Sequence, residues 1–233
     1  LAFGQVHPPL CKGRENRAVP AIVVSNELFD ALPIRQFIRT AQGWRERLVG
    51  LGQNGGLAFG LAAEPPDLSL PDAPEGAVRE ISPEAIAVTA RIAAYLVDNG
   101  GASLAIDYGY ATGFGDTLQA LRGHAFADPL AAPGEADLTA HVDFGALAFA
   151  ARGAGAATTT LIPQADFLER LGLCLRVEAL SRAAPDKRDA IAAAAARLTD
   201  RSPRGMGALF KAFAFADPLL GPLPAFEPDG AAR

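Results

Sequence analysis

Residues 21–24 read Ala-Ile-Val-Val, an unbroken apolar run rich in β-branched side chains. Such a run predicts a strand buried on both faces, as in the interior of a parallel sheet. Polar residues follow at once: Ser25, Asn26, Glu27 and Asp30. Over residues 35–61 the rhythm changes to alternation. Phe37 and Ile38 precede a Gln42-Gly43 turn, Trp44 to Val49 follow, and a glycine-rich turn leads into Leu57-Ala58-Phe59, which predicts an antiparallel meander. Residues 62–76 carry four prolines and read as loop. Ser82-Pro83-Glu84 then supplies an N-cap, a proline at the first helical position and an early acid. Ile86, Thr89, Ile92, Ala93, Leu96 and Val97 recur at helical spacing until Asn99-Gly100-Gly101 stops the helix. A second apolar run, residues 102–106, ends in Asp107-Tyr108-Gly109 and repeats the grammar of the first.

Beyond it the pattern predicts a short helix over 116–122, a loop with Pro129 and Pro133, a helix over 143–152 and a strand over 158–162. Helices over 166–171 and 188–198 and a phenylalanine-rich strand over 208–215 complete the chain. Strands alternating with helices define an α/β sheet. Residues 1–20 mix three prolines with Lys12, Arg14, Glu15 and Arg17, without periodicity, and are set apart as a poorly matching head.

Composition narrows the functional classes. The chain has 233 residues, of which 50% are hydrophobic and 20% charged, enough for one large or two small globular domains. With 21 Lys and Arg against 26 Asp and Glu, it has no electrostatic footprint for nucleic acid or an anionic membrane. Cys11 and Cys174 form neither a disulfide framework nor a zinc site, which points to a reducing compartment, the bacterial cytoplasm or the mitochondrial matrix. No run approaches the ~18 apolar residues of a membrane span. The chain begins at Leu1 rather than Met, so further residues upstream are expected.

Gly50-Leu51-Gly52-Gln53-Asn54-Gly55 spells the dinucleotide fingerprint G-x-G-x-x-G, yet that chemistry needs a helix N-terminus after the glycines. Asn54-Gly55 before a strand predicts a hairpin turn instead. The cluster from Asn26 to Pro33 has a better position, since ligands of open α/β sheets bind outside the carboxyl ends of the strands. Ser25, Asn26 and Asp30 equally suit capping of a following helix. Asp107 and Tyr108 would share that sheet edge, or form a plain strand-terminal turn. His124 and His141 fall in polar loops with Asp128, Asp137 and Asp143 nearby, without the spacing of a metal site. A serine or cysteine hydrolase lacks its G-x-S-x-G, and Cys174 lies in an apolar stretch. Arg35, Arg39, Arg45 and Arg47 on the meander read as a solvated face interrupted by Glu46.

Several ordered blocks carry a resemblance. Asn26-Glu27-Leu28-Phe29-Asp30-Ala31-Leu32-Pro33 resembles the N-E-x-x-D-A-L-P segment of the MidA family of S-adenosyl-L-methionine (SAM)-dependent methyltransferases. Gly100-Gly101-Ala102-Ser103-Leu104-Ala105-Ile106-Asp107-Tyr108-Gly109 is similar to the family's G-G-x-x-L-x-x-D-Y-G. Gly115-Asp116 through His124, Asp128-Pro129-Leu130, Pro133-Gly134 and Asp137 to Phe144 resemble its middle signature, and Phe167-Leu168, Met206-Gly207 and Phe210-Lys211 its tail.

The resemblance implies an α/β fold: a partial Rossmann-like methyltransferase sheet with an antiparallel β insertion at 35–61 and helical additions. Residues 21–233 would then be the C-terminal part of the catalytic domain, the SAM-binding half being absent. It implies methyl transfer to a protein arginine, the family including a mitochondrial factor that acts on a core subunit of respiratory complex I. Glu27 and Asp30, with Asn26, are the implied catalytic residues. Asp107, Tyr108, His124, Asp137, Thr139, His141 and Asp143 are the implied acceptor-binding set. The other reading is a non-catalytic binding or assembly module.

Overall fold

The computed structural model describes residues 19–123 and 125–226. Most of the 1–20 head, with His7 and Cys11, and also His124, lie outside the described residues. The chain runs through β1 (Ala21–Asn26), β2 (Arg35–Thr40), β3 (Gly43–Leu51), β4 (Leu57–Leu61), β5 (Val78–Ile81), α1 (Pro83–Asn99) and β6 (Gly101–Tyr110). Three short strands, β7 (Gln119–Arg122), β8 (Ala125–Ala127) and β9 (Asp137–Thr139), lead to β10 (Val142–Asp143) and α2 (Phe144–Gly153). Then come β11 (Ala157–Thr158), β12 (Ile162–Pro163), α3 (Gln164–Arg170), α4 (Leu173–Ala183), α5 (Arg188–Leu198), α6 (Met206–Leu209) and β13 (Phe210–Ala216).

The two apolar runs become neighbouring parallel strands. β1 pairs with β6 from Ala21 opposite Gly101 to Asn26 opposite Ile106, so both carboxyl ends arrive together. β13 lies antiparallel on the other side of β6, with β11 and β12 beyond it, and β10 extends the pairing of β6 past the end of β1. One sheet face carries α1 and α2 over a core of Leu96, Ala105, Phe144, Leu147, Phe213 and Phe215. The other is covered in part by α3, where Phe167 packs with Ile162, Ala212, Leu104 and Ile106. Helix α1 starts as its sequence dictates: Ser82 Oγ accepts from Ala85 N at 3.2 Å, and the Gly100 N–H closes the last turn on Leu96 O at 2.8 Å.

Two glycines set how closely these strands approach. A Cβ on Gly101, at φ +122°, would lie 1.9 Å from the Ala21 carbonyl oxygen, and one on Gly109 would lie 2.1 Å from that of Val142. No side chain fits at either place.

The structure corrects four expectations. First, β1 is an edge strand among the described residues, not an interior one: Ile22 is 86% exposed and Val24 63%. Second, no helix follows β1, so Ser25, Asn26 and Asp30 cap nothing. Third, residues 119–122 form a strand, because Ala120 is buried between Leu138 and Ala127 and this pairing overrides local helix preference. Fourth, the strand expected over 158–162 is two short pieces, β11 and β12, separated by residues 159–161 and both paired with β13. Several elements had no counterpart in the sequence reading, among them β5, the short strands β8, β9 and β10, and the helices α4 and α6. β5 adds a fourth strand to the meander, giving the order β4-β3-β2-β5, and α4 forms without burying any residue. The G-x-G-x-x-G segment is the β3–β4 hairpin, closed by Gly52 N to Gly56 O at 2.7 Å and Gly56 N to Asn54 Oδ1 at 3.1 Å.

An open edge with two exposed β-branched residues templates further pairing. Sedimentation of the purified chain should show association that grows with concentration, and the double substitution Ile22→Lys, Val24→Lys should shift it towards monomer. A parent chain that stays monomeric throughout would show that this edge recruits nothing.

Candidate active site

The parallel strand ends create a fixed corner. The Glu27 N–H makes the last bond to β6, to Ile106 O at 3.0 Å, and the chain then turns away with Glu27 at φ +50°. This left-handed conformation costs a non-glycine residue roughly 1–2 kcal/mol, and residues held in it cluster at functional sites. What holds the turn is Asp107, the next residue of β6, which is 0% exposed. Its Oδ2 accepts from the N–H groups of Phe29 at 3.0 Å and Asp30 at 3.3 Å, and its Oδ1 from that of Tyr108 at 3.0 Å. Burial raises the Asp107 pKa to about 7, and the neighbouring Asp30 carboxylate pushes the same way against the pull of the three N–H bonds. Burial wins.

Asp30 is nearly buried; its Oδ2 accepts a short hydrogen bond from the Tyr108 hydroxyl and its main-chain oxygen accepts from Ala140 N at 3.0 Å. Burial and the Asp30 carboxylate raise the Tyr108 pKa, so the phenol keeps its proton and remains the donor. The Tyr108 ring meets His141 edge-on at 5.6 Å and Phe210 at 5.4 Å. Burial also lowers the His141 pKa, which favours the neutral imidazole.

A cleft of about 1050 Å³ opens beside this corner, walled by the strand ends, the β7–β9 sheet and the segment before β13. Glu27, Asp30, Tyr108, Asp137, Thr139 and His141 all line it, together with Arg204 and the apolar Phe126, Leu138, Leu209 and Phe210. The structure thus brings six of the sequence-derived candidates to one place. Three others lie off its wall. Asn26 is exposed and donates from Nδ2 to Glu27 Oε1 at 3.1 Å, which orients that carboxylate. Asp107 faces the turn rather than the cleft. Asp143 caps α2 through Ala146 N at 3.0 Å, pairs with Arg79 Nη2 at 2.7 Å, and lines a separate cavity of about 170 Å³. His124 lies outside the described residues.

Sequence reasoning missed Glu80. This carboxylate, 2% exposed on β5, accepts from Gln36 Nε2 at 2.8 Å and from both the N–H and the hydroxyl of Thr117, whose oxygen in turn accepts from His141 N at 2.8 Å. Asp116 beside it takes both terminal nitrogens of Arg47, at 2.8 and 3.0 Å. The meander is therefore tied to the loop that carries His141. Neither Glu80 nor Phe126 stands in a recognisable motif, and only the fold joins them to the site. Among the described residues, no three His, Cys, Asp or Glu side chains gather as a metal site.

A mixed α/β sheet with a carboxylate-lined cleft at its parallel strand ends is the Rossmann-like architecture of methyltransferases. The chain superposes with a TM-score of 0.77 and 31% identity on a COG1565 superfamily member from Burkholderia thailandensis bound to S-adenosyl-homocysteine, over 92% of this chain and 58% of that one. It is 36% identical over 167 residues to the mitochondrial protein arginine methyltransferase NDUFAF7 of Danio rerio, covering 69% of this chain and 39% of the relative. For NDUFAF7 of Xenopus tropicalis the identity is 35% over 192 residues, 76% of this chain and 43% of the relative. The chain thus spans about two fifths of the length of these curated relatives. Residues 11–162 match the family model described as putative S-adenosyl-L-methionine-dependent methyltransferase, and the chain belongs to that family.

The Asp107 arrangement has a measurable signature. An aspartate whose pKa is about 7 in the fold and 3.8 as a free group keeps its proton longer when folded, so its contribution to stability declines as pH rises between those values. Asp107→Asn leaves at least one of the N–H donors unpaired and should cost about 1–3 kcal/mol at pH 5. Because the variant does not titrate there, the gap should narrow towards pH 8 in urea unfolding. A gap independent of pH would contradict the raised pKa.

Proposed function

We propose that this chain carries the acceptor-binding part of a SAM-dependent protein arginine methyltransferase. The observation that supports this most is the placement of Glu27 and Asp30 on one cleft wall, the first at a left-handed φ and the second fixed by Tyr108. The NDUFAF7 relatives, named as protein arginine methyltransferases, make a protein arginine the natural acceptor.

Arginine is a difficult nucleophile: its guanidinium is planar, delocalised and charged at every physiological pH. Carboxylates overcome this by gripping two nitrogens, fixing the direction of a third and taking up the proton that leaves as the new N–C bond forms. Glu27 is the proton acceptor in this reading, since Asn26 orients its carboxylate and no buried donor consumes it. Asp30 is committed to Tyr108 and serves as the fixed grip. Tyr108, Asp137, Thr139 and His141 shape the pocket, while Phe126 and Phe210 offer apolar surface to the arginine stem.

SAM, when bound, supplies an electrophilic methyl group on a sulfonium. The described residues do not offer the usual grip for it, a glycine-rich turn leading into a helix, because the G-x-G-x-x-G of this sequence closes a β-hairpin. The reading therefore assigns cofactor binding to segments that the relatives have beyond this chain. The open edge of β1 supports that assignment. A core subunit of respiratory complex I is the acceptor that the MidA-like segments suggest, with the mitochondrial matrix or a bacterial cytoplasm as the setting. The same open edge favours one rival, a non-catalytic assembly module.

Two measurements separate these readings. Calorimetric titration of the 233-residue chain with SAM should show weak or no binding, and low-micromolar affinity would place a cofactor site within the chain. In the enzyme completed with the segments its relatives carry, Glu27→Gln should lower methyl transfer from labelled SAM by roughly 10²- to 10⁴-fold with little change in SAM affinity. Glu27→Gly is the folding control, since glycine accepts φ +50° without strain. Parent-rate transfer by Glu27→Gln would remove the catalytic role and favour the module.

A further inference from the structure

The loop between α5 and α6 contributes Pro203 and Arg204 to the cleft, and its construction singles out one side chain. Asp200 Oδ1 accepts from Ser202 N at 2.9 Å, and Gly205 N donates to Ser202 O at 2.8 Å. A Cβ on Gly205 would lie 2.4 Å from the Asp200 carbonyl oxygen, so the loop closes tightly on itself. Arg201 fastens it to α3, with Nη1 to Asp166 at 2.6 Å and Nη2 to Glu169 at 2.7 Å. Pro203 fixes its own φ and restricts Ser202 before it. Asp200 and Arg201 are thus consumed in holding the loop. Arg204 is exposed, forms no ion pair with a described residue, and is the one cation among the residues lining the cleft.

Its partner does not come from the cleft itself. Glu27, Asp30 and Asp137 share the cleft, yet no pair joins Arg204 to any of them. A guanidinium there repels an incoming acceptor arginine and offers a planar two-donor fork matched to a carboxylate. Both effects are satisfied at once by an acceptor segment that brings a negative charge beside its arginine. We propose that Arg204 is a specificity residue that binds a carboxylate of the acceptor protein, selecting arginines with an acidic neighbour and rejecting those in wholly basic surroundings. This rests on the acceptor-cleft reading above. A carboxylate also occurs on the amino-acid end of SAM and S-adenosyl-homocysteine, and the test separates the two sources.

The probes are fluorescein-labelled nine-residue Gly/Ser peptides with one central arginine, unmodified or carrying a single glutamate at each of the other positions in turn, titrated against the 233-residue chain. The best glutamate peptide should bind about three- to tenfold more tightly than the plain arginine peptide, the range of an ion pair with good fork geometry. The preference should shrink in high salt. Arg204→Gln should abolish it, and Arg204→Glu should transfer it to the peptide with lysine at that position. Equal binding of plain and glutamate peptides, or a preference that survives Arg204→Gln, would overturn the role of Arg204 while leaving the cleft as the arginine site. In the enzyme completed with the segments its relatives carry, loss of S-adenosyl-homocysteine affinity in Arg204→Gln with peptide preference intact would also overturn it, by assigning the carboxylate to the cofactor. Failure of every arginine peptide to bind would take the cleft reading down with it.

Discussion

A carboxylate shut away from water must find donors, and Asp107 finds three main-chain N–H groups at the point where β1 and β6 end. The rest of the site depends on this arrangement. Two of the donors, Phe29 and Asp30, belong to the turn after β1, and the third belongs to Tyr108 on β6 itself. One side chain therefore fixes the turn to the strand beside it. Phe29 is driven into the core below while Glu27 and Asp30 stay on the cleft wall above. The proximity of Asp30 raises the cost of charging Asp107, so the corner is held by backbone donors at the expense of electrostatic comfort.

The second support comes from the meander. Its role is mechanical: buried Glu80 and the Arg47–Asp116 pair fasten the four-stranded sheet to residues 116–117, and Thr117 passes the constraint to the His141 backbone. His141 then packs on Tyr108, which donates to Asp30. The acidic wall is thus braced from two directions, by β6 through Asp107 and by the insertion through Thr117. The proposed grip on a guanidinium needs that rigidity, because a two-point contact is lost when either carboxylate swings.

How much of this is legible in the sequence follows from the range of each interaction. The Ser82 cap and the Asn54-Gly55 hairpin rest on neighbours in the chain and are readable there, as are the apolar runs at 21–24 and 102–106 as strands, while the edge position of the first is not. Glu27, Asp30 and Tyr108 were legible as strand-end positions and through their resemblance to family segments. The opposing possibility, a helix capped by Asn26 or Asp30, fails because Asp107 already takes the N–H groups of Phe29 and Asp30 and Glu27 turns left-handed. Where partners are remote, local pattern misled or fell silent. Residues 119–122 became a strand through pairing with residues 137–139, and β5 showed only two apolar positions in four. Asp143 shares a segment with His141 yet faces Arg79 and α2, a division that spacing alone does not reveal. Phe126, Phe210 and Arg204 reach the cleft from three separate elements.

In the proposed function Glu27 and Asp30 together receive an arginine side chain. A crystal structure of the chain with an arginine-containing peptide bound tests it most directly. The guanidinium should lie in the cleft with its nitrogens about 2.7–2.9 Å from the Glu27 and Asp30 carboxylate oxygens, the Asp30–Tyr108 bond intact and Asp107 still holding its three N–H groups. A guanidinium seated on Asp137 alone, or outside the cleft, would contradict it.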